Sequence, residues 1–319
     1  MRSDATLADR LCFAAFNRMK IRDLNIVRRL PLALLAGLAP AWLPAAPAVH
    51  VREADAAFAA LAAESGQHAA FVEYLAGDAV LFRPEPVAGQ AWLASHEPAG
   101  GRLDWQPAAA VESCNRRLAV TSGPWRYANP AGGDPAIGHY LSIWQMQADG
   151  QWRVVLDHGI DHDPSAVPTE DLDAAFARLW PAVGSGKCAG RRAARDIVGA
   201  ERELNDRVRR DGLPEALREA AAAGMIAYRD DAPPGRTSPA WPARDATFAG
   251  GTVAQTAGAV VEPDADIAAT YGVLQSADGG TRALYVRVWN RDRRRWRVAV
   301  DLQTPLPPLP PLSPPLRTP

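Results

Sequence analysis

Apolar positions recur at helical spacing over residues 54–63, where Phe58 and Leu61 stand three apart on one face. A Ser65-Gly66 break follows, then a second short helix. The apolar run 79–82 then reads as a strand. The same succession occurs once more: residues 55–83 align without gaps on 201–229, with Phe58 on Leu204, Gly66 on Gly212 and Phe82-Arg83 on Tyr228-Arg229. Prolines follow each strand, Pro84 and Pro86 or Pro233 and Pro234. They are expected to end the pairing, because proline cannot donate to a ladder.

The far ends of the two stretches correspond as well. Tyr140 and Trp144 are four apart, as are Tyr285 and Trp289. A polar turn follows in each, and then Trp152-Arg-Val-Val-Leu-Asp157 matches Trp296-Arg-Val-Ala-Val-Asp301. Two β-rich runs around a short polar turn predict an antiparallel hairpin. Simple alternation puts Tyr140, Ser142, Trp144 and Met146 on one face, and Trp152, Val154, Leu156 and His158 on one face of the next strand. Earlier strands, 117–122 and 266–271, lead to Gly123 and Gly272.

Helix, helix, strand, loop and a Trp-anchored closing hairpin, carried by 54–63, 79–83 and 139–158 and again by 200–229 and 283–302, resemble the nuclear-transport-factor-2-like superfamily, also called SnoaL-like or ketosteroid-isomerase-like, with its cystatin-like fold. The resemblance implies an α+β chain of two tandem cone-shaped domains, each a curved antiparallel sheet packed around N-terminal helices. The expected segments are 49–163 for the first domain and 196–304 for the second. A linker at 164–195 carries a short helix capped by Thr169, with Leu172, Phe176 and Leu179 on its apolar side. Residues 305–319 form a proline-rich tail expected to be disordered.

Lys20, Arg22, Arg28 and Arg29 precede an apolar stretch over 30–43, and small residues close at Ala48. These are the parts of a secretory signal peptide over 1–48, with Met19 as the natural start and Val49 as the mature one. Prolines interrupt the stretch and it is too short for a bilayer span. The expected location is the periplasm or the exterior. A net charge of -1 argues against nucleic-acid binding. Removal of the leader takes Cys12 and leaves Cys114 and Cys188, compatible with one disulfide or with two buried thiols.

In catalytic members of the resembled family, a carboxylate or histidine inside the cone moves a proton. Candidates here are Asp157 and His158 at the end of the last strand of the first domain, with His139 on its hairpin partner. The competing expectation sets all three at a solvated rim. Tyr140, Trp144, Tyr285 and Trp289 are candidate ligand-lining residues. His158, Asp161, His162 and Asp163 are metal-ligand residue types, but the loop that carries them reads more simply as a polar exit from the domain, and no metal or cofactor is implied. The second domain has Leu302 where the first has His158, so any catalysis belongs to the first. Two readings stand: an exported protein binding a small apolar ligand or a partner, or a lyase or isomerase working through the first domain. A homodimer and an intramolecular pseudo-dimer are both compatible with this organisation.

Overall fold

Helix α1 (Val51–Ser65) turns Val51, Ala54, Asp55, Phe58 and Ala62 inward. The backbone N–H of His50 donates to Glu53 at its start. Gly66 ends it at a φ of 88°, and α2 (Gln67–Tyr74) begins at once. The later helix pair repeats this geometry: α5 (Ala193–Asp211) ends at Gly212, φ 85°, and α6 (Leu213–Ala220) follows. Only glycine adopts that φ without strain, which is why both breaks carry it. This computed structural model describes residues 49–98, 100–165, 170–180, 188, 193–230, 232–236, 247–292 and 295–307. The expected signal peptide, Thr169 and the tail beyond residue 307 lie outside them.

The remaining elements of the first half are β1 (Leu75–Phe82), β2 (Pro86–Ala88), α3 (Gly89–Ser95), β3 (Arg102–Trp105), β4 (Ala109–Glu112), β5 (Leu118–Ala128), β6 (Ala136–Met146) and β7 (Trp152–Asp161). Helix α4 (Leu172–Leu179) follows, with Asp171, not Thr169, accepting from the first free N–H groups as its cap. The second half adds β8 (Ala221–Arg229), β9 (Ala232–Arg236), β10 (Val253–Val260), β11 (Ile267–Gln275), β12 (Arg282–Asp292) and β13 (Arg295–Leu306).

Two separate sheets result, in a mixed α+β fold. The first runs β2-β1-β7-β6-β5-β3, with β4 also on β5, and the second runs β9-β8-β13-β12-β11-β10. Neither is purely antiparallel, contrary to expectation: β1 lies parallel to β7, and β8 parallel to β13. Strands β2–β6 with α3 lie between β1 and β7, and β9–β12 lie between β8 and β13, connections long enough to allow parallel pairing. The prolines do not end the pairing either. Pro86, Pro233 and Pro234 sit inside β2 and β9, both edge strands, where a missing N–H costs no ladder bond. Gly123 and Gly272 mark a second shared feature, since a Cβ there would stand 1.8 Å and 2.0 Å from the carbonyl oxygens of Gln106 and Gln255.

The central strands of each sheet are buried on both faces. One face packs on its own helices; on the other, Leu141, Ile143 and Leu156 of the first sheet share one core with Ile226, Tyr228, Val286 and Leu302 of the second. The hydroxyls of Ser122 and Tyr228 meet across that seam at 2.7 Å. Cys114, in the turn after β4, is joined to Cys188 by a disulfide, which settles the choice left open by the sequence. No helix among the described residues is long and apolar enough to cross a membrane.

Candidate functional site

A bulge decides which side chains reach the interior of the first half. The register of β6 on β7 shifts between Ile143 and Trp144, so Trp144 pairs with Val154 while Ile143 pairs with Leu156. Beyond the bulge Ser142 stands opposite Asp157, and Leu141 opposite His158. Directly opposed residues share a face. Asp157 therefore turns toward the helices beside Ser142, and His158 turns toward the second sheet, against the simple alternation.

The result is a cavity of about 340 Å³ within the first half. Phe58, Phe71, Leu103, Trp105, Trp125 and Tyr127 give it an apolar wall. Arg83, Tyr140, Ser142 and Asp157 supply its polar side. The Ser142 hydroxyl donates to Asp157 Oδ1 at 2.5 Å. Behind Tyr140 lies Asp55 of α1, which is 1% exposed. It accepts from the Tyr140 hydroxyl at 2.7 Å and from Trp105 Nε1 at 2.9 Å.

Burial dominates the electrostatics. It raises the Asp55 carboxyl above its usual range, against the opposing hydrogen bonds from Trp105 and Tyr140. It pushes Asp157 up to about 6, helped by the charge of Asp55 and opposed by Ser142 and Arg83. The Tyr140 phenol is also driven up, by burial first and then by Asp55. Arg83 reaches Asp157 through space only: its guanidinium donates to the Phe82 carbonyl and lies over the Trp92 ring, 5.0 Å from the centroid.

The other candidates fall elsewhere. His158 is not at a solvated rim. Its Nε2 lies 2.9 Å from Thr304 Oγ1, its ring packs on Phe82, and burial lowers it to about 3. His139 pairs through Nδ1 with His162 Nε2 at 2.9 Å, away from Asp157, and is lowered to about 4 by burial and by His162. Trp144 is fully buried and donates to Thr121; Trp289 does the same to Thr270. Both are core residues, although Trp289 also borders an open groove beside Trp296. Tyr285 is fully buried, with its hydroxyl donating to Glu201. Of the four aromatic candidates, Tyr140 is the one that borders the 340 Å³ cavity. Among the described residues, no three His, Cys, Asp or Glu side chains group as metal ligands.

No family model and no curated protein matches the chain. Solved structures do resemble part of it. An NTF-2-like protein of unknown function from Shewanella oneidensis matches at 14% identity over 34% of this chain and 94% of its own, with a TM-score of 0.29. A Δ5-3-ketosteroid isomerase from Mycobacterium sp. matches at 16% identity over 35% of this chain and 92% of its own, also at 0.29. A cystatin-like-fold protein of unknown function from Nostoc punctiforme matches at 17%, over 36% and 90%, at 0.27. The likeness is to the NTF2-like fold over about a third of the chain, and it assigns no ligand or reaction.

The second half shows what sequence reasoning missed. At the bulge of β12 on β13, Arg287 stands opposite Asp301, as Ser142 does opposite Asp157. Arg287 is fully buried and donates to Glu201 Oε1 at 3.0 Å, to Asn205 at 3.0 Å and to Asp301 at 3.3 Å. Glu201 is the residue aligned on Asp55, and it accepts from Tyr285 as Asp55 accepts from Tyr140. Arg229, aligned on Arg83, makes a second ion pair with Asp301 at 2.7 Å. A guanidinium thus fills, in the second half, the position beside which the first half has a cavity. The signal was present in the sequence: an arginine in the middle of the apolar strand Tyr285-Val-Arg-Val-Trp289, and an acid at the matching place in each first helix.

Proposed function

We propose that residues 49–163 and 196–304 are tandem versions of one cone-shaped unit, of which the first binds a small, mainly apolar organic molecule and the second is a closed scaffold. One observation carries this reading: Ser142 beside a cavity in the first half, against buried Arg287 at the corresponding place in the second. Aromatic walls with a few convergent polar groups are the usual make-up of a small-molecule pocket. The neutral fluorescent probe N-phenyl-1-naphthylamine, titrated against the full chain, should bind with saturation. Ser142→Arg, which extends a guanidinium into the cavity, should abolish that binding while the chain stays folded by circular dichroism. Equal binding by Ser142→Arg would locate the probe elsewhere and defeat the reading.

A second reading, isomerase- or lyase-type proton transfer in the first unit, is favoured by Asp157, a carboxyl raised to about 6 at the cavity edge and so poised near working pH. The ketone 2-tetralone, with acidic C–H bonds beside its carbonyl, should then exchange deuterium faster with the wild-type chain than with Asp157→Asn. Equal rates would remove it.

The chain is further proposed to be exported, with a mature start near Val49. The Cys114–Cys188 disulfide supports an oxidising compartment. N-terminal sequencing of protein recovered from cells tests this; an intact Met1 or Met19 start would refute it.

A further inference from the structure

The two halves place acids at the same two positions, Asp55 and half-buried Asp157 in the first and buried Glu201 and Asp301 in the second, but not the same cations. In the second half, Glu201 and Asp301 face Arg287 and Arg229, two charges against two, in direct contact. In the first half, Arg83 acts on Asp157 through space only: its guanidinium lies over Trp92 and donates to the Phe82 carbonyl, while Asp55 lies behind Tyr140. His158 adds no charge, being lowered to about 3, and Arg52, which acts on Asp55 from the same helix, is committed to Asp173 and to the carbonyls of Pro107 and Ala108. Neither carboxylate is in direct contact with a guanidinium, in contrast to both acids of the second half. Beside Asp157 lies a cavity where the other half has a guanidinium.

We propose, building on the binding reading above, that the ligand of the first unit is an organic cation, its ammonium or amidinium group lying between Asp157 and the Asp55–Tyr140 pair and its aromatic or aliphatic body against Phe58, Phe71 and Trp105. The second half shows the geometry in use. The Arg287 guanidinium bridges both acids and lies over the Tyr285 ring, 4.1 Å from its centroid. Tyr140 occupies the matching register position and offers an equivalent ring face, so a bound cation gains a cation–π contact as well as charge-assisted hydrogen bonds. An apolar body alone would leave Asp157 to be neutralised by a proton. A cation neutralises it directly.

Three probes of one shape separate the cases: 2-naphthylmethylamine (cationic), 2-naphthalenemethanol (neutral) and 2-naphthoate (anionic). Calorimetric titration of the full chain is run at pH about 5 and about 8, either side of the Asp157 value of about 6. The titratable and charged groups around Asp157 are Asp55, raised by burial, Arg83, and Tyr140, driven up by burial, while His158, on the opposite side of the strand, is lowered to about 3. The amine should bind about tenfold or more tightly than the alcohol at the higher pH, with the margin shrinking at the lower one. Asp157→Asn should erase the margin while still binding the alcohol. If the alcohol or the naphthoate binds as tightly as the amine, the cation inference is overturned and the pocket stands. If neither these probes nor N-phenyl-1-naphthylamine binds, the pocket reading fails and takes the inference with it.

Discussion

Replacing Arg287 with methionine keeps much of the side-chain volume and removes the charge that holds Glu201 and Asp301. Both carboxylates are essentially inaccessible to water, so neither can be re-solvated without opening the second half. Breaking a buried pair by deleting one partner costs about 3–5 kcal/mol, mostly from the charge left behind. Here the lower end applies. Asp301 keeps Arg229 at 2.7 Å and Gln303 at 2.6 Å, and Glu201 keeps the hydroxyls of Tyr285 and Thr270. We expect Arg287→Met to lose about 3 kcal/mol, a sizeable part of the roughly 5–15 kcal/mol typical of a folded chain. Urea denaturation followed in parallel by tryptophan fluorescence and circular dichroism measures it, with coincident transitions required before a free energy is extracted. Adding Glu201→Gln should restore about 1 kcal/mol or more, because it removes the stranded charge. A single-variant loss below about 1 kcal/mol, or no recovery in the double variant, would show that Arg287 is not what closes the second half.

Trp152 is 3% exposed and its Nε1 donates to the Val49 carbonyl, so Trp152→Ala should cost about 3–5 kcal/mol by denaturation; a loss under about 1 would undo the packing argument. His158→Ala should cost about 1–2 kcal/mol, since it removes the contact with Thr304 and the packing on Phe82; an unchanged melting temperature would return His158 to a solvated rim. Lowered His158 and His139, at about 3 and about 4, contribute stability that is lost as pH falls toward those values. Asp157, raised to about 6, acts in the opposite sense, its contribution being lost as pH rises from its ordinary value of 3.8 through 6. Asp157→Asn should therefore steepen the gain in stability between pH 4 and 6 by up to about 3 kcal/mol, and an unchanged slope would contradict the raised value. Reducing Cys114–Cys188, which are separated by 74 residues, should cost about 4 kcal/mol by the loop-entropy relation, measured as a shift in urea midpoint with and without reductant.

The helix pairs, their glycine breaks and the closing hairpins were legible because each depends on local chemistry: a φ near +85°, an amphipathic face, an alternating strand. Pairing partners were harder. That β1 lies parallel to β7 depends on contacts some 75 residues apart, and proline-bearing β2 and β9 survive because they lie at sheet edges. The site was legible in part. Asp157 and Tyr140 are candidates from the sequence, and both border the cavity. His158 was misplaced because one bulge, invisible to alternation, turns every residue beyond it to the other face. Trp144 and Tyr285 looked like pocket lining, but their polar atoms are satisfied inside the core. Asp55 was overlooked although it aligns on Glu201, because an acid on a helix is usually solvated, and only tertiary contact with Tyr140 shows that this one is not.

The number of probe molecules bound per chain tests the difference between the halves most directly. Equilibrium dialysis of N-phenyl-1-naphthylamine against the full chain should give one saturable site, present in Arg287→Met and lost in Ser142→Arg. Two equivalent sites in the wild-type chain, or one site that survives Ser142→Arg, would contradict an open first unit beside a closed second.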